Sequence, residues 1–245
     1  MDKLDCGNDL HPPMRSALAL TFFLTLTLQT MAQTHEDRKA KIQEKEAAKP
    51  SQEALDRRAR SMAQLMKEGV PVSSTLPVIE DSKEAKTRTV EEVARRAIAV
   101  CLMAVKGEGL EDEHLLPLVK EFGAEGFFSP EELAFLKNPK PSQADRAKFS
   151  WRYEDYWVLL WALGYVDSLS RPEAICDAKT CVSFILKHPT MALFIENAKL
   201  RPLSEILDQT DLIYRYHWAV VDARVKNKET PAGLDGGVVM EWHTH

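Results

Sequence analysis

From Ser51 onward the apolar residues return every third or fourth position, the period of helices. No run of useful length alternates with the period of two that a strand needs. Leu55, Met62, Leu65 and Met66 predict a first helix, which Gly69 ends and Pro71 prevents from continuing. Residues 70–77 (VPVSSTLP) then read as an extended connector. Thr89 and Glu92 form a capping box ahead of a second helix. Its face is Val90, Val93, Ala94, Ala97, Cys101, Ala104 and Val105, and Gly107 is expected to stop it. A short third helix is predicted over 115–122, ending at Gly123. Ser129-Pro130-Glu131-Glu132 is another start signal, with Leu133 and Leu136 as the apolar face and Pro139 and Pro141 closing it. Two more helices are predicted over 178–187 and 202–226. On the second of these Leu203, Ile206, Leu207, Thr210, Ile213, Tyr214, His217, Trp218, Val221 and Val225 share one face.

The most apolar stretch, residues 149–166, reads FSWRYEDYWVLLWALGYV. Its apolar side chains cover nearly the whole helical circumference, so it is expected to be packed on several sides. Arg152, Glu154 and Asp155 within it argue against a membrane span. The fold class that follows is all-α: a multi-helix orthogonal bundle around a central helix at 149–166, with no significant β-sheet. Trp157, Leu160, Trp161, Ile213 and Trp218 are the expected core positions.

At 245 residues, 44% hydrophobic and 28% charged, the chain can bury a real core. One helical domain is expected over 51–245. Ten glycines weaken any fold built on glycine-rich turns. A net charge of −5 argues against a nucleic-acid partner held by bulk charge. The four cysteines include no C-x-x-C pair, which argues against a structural zinc site.

The amino terminus reads as an export signal. ALALTFFLTLTL, residues 17–28, has no charge and suits the apolar region of a signal peptide. Arg15 precedes it, and Thr30-Met31-Ala32 offers cleavage behind Ala32. Asp2, Asp5 and Asp9 are wrong for such a signal, whereas a start at Met14 gives a short basic leader. Residues 1–32 are therefore expected to be a signal peptide with an over-extended start, and 33–50 a charged linker. The predicted location is periplasmic or secreted; the alternative is a membrane anchor through residues 16–32.

Several blocks stand in a distinctive order. They are RARSMAQLMKEGVPV from Arg58 to Val72, LPVIE from Leu76, TVEEVARRA through Ala97, SPEELAFL from Ser129, WRYEDYWVLLWALG from Trp151 and EILDQTDLIYRYHWAVVDAR from Glu205. Together they resemble the bacterial domain-of-unknown-function family 4272, from about Arg57 to the end. The resemblance implies an all-helical domain and no particular activity, cofactor or catalytic residue. The family pattern continues beyond Glu241 into a closing helix. Here the chain reads EWHTH, so a truncated or altered last element is expected.

Candidate chemistry is sparse. Glu154 is an acid planted among Trp157, Val158, Trp161 and Tyr165. Desolvation there could make it a general acid or base. Equally, an arginine from another helix (Arg96, Arg152 or Arg215) could neutralise it and pin the packing, and this is the expected outcome. His217 sits in the apolar face of the long helix, as a core residue or as a base. Arg215 could hold an anionic substrate, and it also stands four residues after Asp211, a favourable helical pair. Asp208, Asp211 and Asp222 share a stripe that could hold a divalent cation, or could simply face solvent or a neighbouring helix. Cys176 and Cys181 could pair if the chain is exported, while Cys101 lies on an apolar face. Without a phosphate loop or a G-x-S-x-G nucleophile, no cofactor and no metal are expected.

The leading functional expectation is an exported structural or protein-interaction module. It would bind another protein rather than nucleic acid and keep no stable membrane span after signal cleavage. The alternatives are a small hydrolase-like enzyme with Glu154 and His217 as acid–base pair, and an immunity- or inhibitor-type binding protein.

Overall fold

The computed structural model describes residues 49–244. The signal-peptide, cleavage-site and anchor expectations, Cys6, and the linker up to residue 48 lie outside them. From Ser51 on, the chain forms one compact unit. Its helices are α1 (Gln52–Lys67), α2 (Val90–Glu108), α3 (Asp112–Glu121), α4 (Pro130–Lys137), α5 (Gln143–Ser150), α6 (Arg152–Ala162), α7 (Ala178–Lys187), α8 (Met191–Glu196), α9 (Leu203–Val225) and α10 (Gly236–Trp242). Single 3₁₀ turns lie at Ala124–Gly126 and Pro231–Gly233. The described residues contain no strand, so the protein is an all-α bundle of helices. None of these helices is long and apolar enough to cross a membrane.

The starts follow local chemistry. Thr89, Ser129 and Ser142 each accept from the backbone N–H three residues on, and Glu92, Glu132 and Asp145 return the bond to the cap's own N–H. The Ser142 box opens a helix of its own. The stretch 149–166 is therefore the end of α5 followed by α6, interrupted at Trp151, rather than one continuous helix. α8, capped by Thr190, carries the fully buried Phe194 and had no counterpart in the predicted elements.

α6 lies in the core, with Tyr156 and Leu160 fully enclosed, and α2 shares the centre with it. Every residue of α2 from Ala97 to Gly107 is buried, and α2 packs against α3, α4, α5, α6, α7 and α8. Gly107 does not stop α2. The helix runs on to Glu108 and ends at Gly109, whose φ of +110° suits glycine. A Cβ on Gly107 would stand 2.5 Å from the Ser150 nitrogen and 2.8 Å from the Phe149 carbonyl carbon. Its missing side chain is thus what lets the backbones of α2 and α5 touch.

A second cluster joins α1 and α9 through Leu65, Tyr216, Ala219 and Val220. The buried face of α1 is Ala54, Arg57, Ser61 and Leu65; Met66, expected inside, is 58% exposed. Arg57 turns the helix this way. It is 2% exposed and donates to Asp208 (3.1 Å), Glu53 (2.6 Å) and the Glu80 carbonyl (3.2 Å). A third cluster brings α6, α9 and α10 together through Val158, Ile213, Val238 and Trp242. Leu160, Trp161 and Ile213 are buried as expected, whereas Trp157 and Trp218 are only partly covered. Asp235 caps α10 with two backbone bonds.

Candidate functional site

Glu154 stands in the first turn of α6 and is 2% exposed. Its Oε1 accepts from the Cys176 backbone N–H at 2.6 Å, and its Oε2 from the Trp242 indole Nε1–H at 2.9 Å. The expected arginine is absent from this pairing, because each candidate holds another acid. Arg96 meets both oxygens of Glu132 (2.8 and 2.6 Å), Arg152 reaches Asp155 (2.6 Å), and Arg215 grips Asp211 (2.8 and 2.7 Å). Two of these are local helical pairs, three and four residues apart. Such pairs form with little loss of chain freedom and consume the guanidinium before a distant acid can. Glu154 is satisfied instead by neutral N–H donors, one of them one residue ahead of the N-cap of α7, where the helix end is positive. Each carboxylate oxygen thus accepts one hydrogen bond from a protein N–H in the interior.

Around this junction lie three thiols. Cys176 Sγ is 3.7 Å from Cys181 Sγ, a contact without a bond between them. Cys181 and Cys101 are fully buried, while Cys176 is partly exposed. Burial, with Cys181 next to it, pushes the Cys101 thiol up, as expected of an inert core cysteine. The hydrogen bond with Cys181, burial and the Glu154 carboxyl hold the Cys176 thiol well above its ordinary range. Burial, with Cys101 and Cys181 nearby, likewise holds the Tyr156 phenol well above its usual value.

His217 is not a core residue. It is partly exposed on α9, and its ring stacks on that of exposed His243 with centroids 3.8 Å apart and planes 10° from parallel. Burial, His243 and Arg224 lower His217, and burial lowers His243. The sign of the consequence is fixed. The unfolded chain binds protons near the ordinary histidine value of about 6.5 while the folded one resists them. The contribution of the pair is whole above that pH and is lost as pH falls through it. Melting temperature should therefore be lower at pH 5.5 than at pH 7.5. His243→Phe, which keeps a stacking ring, should shrink that difference; an unchanged difference would remove the pair as its cause.

The aspartate stripe is dispersed. Asp208 binds Arg57 and Arg60 (3.1 and 2.7 Å), Asp211 binds Arg215, and Asp222 binds Lys226 at 2.8 Å. Along a helix, 14 residues rise about 21 Å, too far for Asp208 and Asp222 to share an ion. Among the described residues no group of His, Cys, Asp and Glu is arranged to hold a metal.

A groove of about 700 Å³ holds neither Glu154 nor His217. Leu159 of α6, Phe127, and Leu203, Ile206 and Leu207 of α9 form its apolar floor. Lys86, Arg88, Arg95 and Arg96 stand on its rim. Arg95 also lies over the Phe127 ring at 5.5 Å. The groove is assembled from five separate segments of the chain, and only the fold brings them together. Arg201 is another residue without a local signal. It stacks on Trp161 at 4.9 Å and donates to the carbonyls of Trp161, Val166 and Asp167 at 2.7–2.8 Å, which closes the open end of α6.

The family model described as a domain of unknown function (DUF4272) matches residues 57–244. No curated protein and no solved structure matches the chain.

Proposed function

We propose that this chain, which belongs to the DUF4272 family, is an exported helical module that binds another protein, with the groove between α2 and the start of α9 as its binding face. The observation that carries this reading is the groove's composition: an apolar floor about 700 Å³ in volume under a rim of mixed charge. Arg88 faces Glu92 at 3.4 Å and Arg96 is held by Glu132, so the rim is only mildly cationic. An apolar floor with a polar border suits the apolar face of an amphipathic segment. The acid–base reading loses support, because Glu154 is sealed under Trp242 whereas His217 lies partly open against His243. Export is supported by the uncharged run 17–28 and the small-x-small site ending at Ala32.

A photo-cross-linking side chain at Phe127, in the groove, should capture one discrete protein in the native host. The same probe at Leu116, an exposed apolar residue outside the groove, should not. Identical patterns from both positions would refute the groove as the binding face. Intact-mass measurement on the native protein tests export separately: the mature chain should begin near Gln33. An abundant full-length form containing residues 31–38 would contradict it.

A further inference from the structure

We propose that Cys176 and Cys181 are a disulfide-forming pair that staples the Glu154 junction to α7. The inference stands apart from the groove reading; export bears only on whether the bond is the resting state.

Three observations converge on it. The sulfurs are 3.7 Å apart, so closure to a disulfide length of about 2.05 Å asks for less than 2 Å of travel. The travel has an obvious source. Cys181 is fixed, fully buried in α7, whereas Cys176 lies in the loop ahead of Asp177 and is partly exposed. Finally, Cys176 is the residue whose N–H holds Glu154, and Glu154 holds Trp242 of α10. A bond between the two sulfurs would fix that N–H relative to α7 and so tighten the contact between three helices.

The chemistry is exchange with a small or protein disulfide. The Cys176 thiolate attacks one sulfur of the oxidant and expels the other as a thiolate. The Cys181 thiolate then attacks Cys176 Sγ and expels the second. Two protein thiols lose two protons and two electrons, and the oxidant becomes two thiols. Cys176 is the entry point because it alone of the three described thiols is not fully buried. Held in its protonated form, it reacts slowly, which fits a structural staple rather than a catalytic thiol.

The test treats the reduced full-length protein with glutathione disulfide at neutral pH, alkylates the remaining thiols and maps the peptides. Cleavage after Lys179 puts the two cysteines on different peptides, so the bond appears as a linked pair. The expected result is a Cys176–Cys181 link, reversed by dithiothreitol. It should raise the melting temperature by roughly 4–8 °C, the gain a short closed loop gives in a domain of this size. Cys176→Ser should fold but lose that gain. A link from Cys181 to Cys101, a glutathione adduct that stays on Cys176, or oxidation only after unfolding in urea would each overturn the proposal.

Discussion

Asp211→Ala is expected to cost about 3–5 kcal/mol, because it strands the Arg215 guanidinium in the interior. Both partners are almost wholly enclosed, with side chains 1% and 3% exposed. Both carboxylate oxygens meet the guanidinium, at 2.7 and 2.8 Å, and Arg215 also reaches the Pro77 carbonyl at 3.4 Å. An ammonium cannot reproduce that two-pronged contact, so Arg215→Lys should rescue little. Replacing both residues together, as Asp211→Leu with Arg215→Met, removes both charges and should restore much of the loss. Urea unfolding reads all four proteins. A midpoint for Asp211→Ala close to wild type would mean that water reaches this pair and that the connector at Pro77 does not cover it as described.

Glu154→Leu is expected to cost about 2–4 kcal/mol, for a different reason: it leaves two donors without an acceptor. The Trp242 indole N–H is enclosed in the α6–α9–α10 cluster, and the Cys176 N–H is partly so. The effect should reach beyond α6. With its anchor lost, α10 should exchange its amide hydrogens faster, while α2, held in the large core cluster, should stay protected. Loss of protection across the whole domain at once would show that Glu154 supports more than this junction.

What was legible in the sequence divides along chain separation. α2, α4 and α9 announce themselves through capping boxes and the 3.6 period, and the Asp211–Arg215 pair through its spacing of four. The partners of Glu154 lie 22 and 88 residues away, and those of Arg57 as far as 151. No local pattern carries such distances. Glu154 looked in need of an arginine because burial demands a partner; that the partners would be a backbone amide and an indole depends on α10 folding back over α6. The break at Trp151 was missed for a related reason. The apolar run is continuous there, and the Ser142 box that opens α5 lies upstream of it. Arg57 reads as one more charge in a polar helix until α9 and the connector supply its acceptors.

The most direct test of the claim that the buried acid serves the fold is a double-mutant cycle between Glu154 and Trp242. Glu154→Gln keeps the size but turns an amide N–H₂ toward one of the two donors. Trp242→Phe keeps a ring and removes the indole N–H. Urea midpoints for the wild type, both single variants and the double variant give the coupling. Each single change should destabilise, and the double should be more stable than additivity predicts, by about 1–3 kcal/mol. A Glu154→Gln protein more stable than wild type, the mark of an acid held at the expense of the fold, or strictly additive losses, would contradict the account.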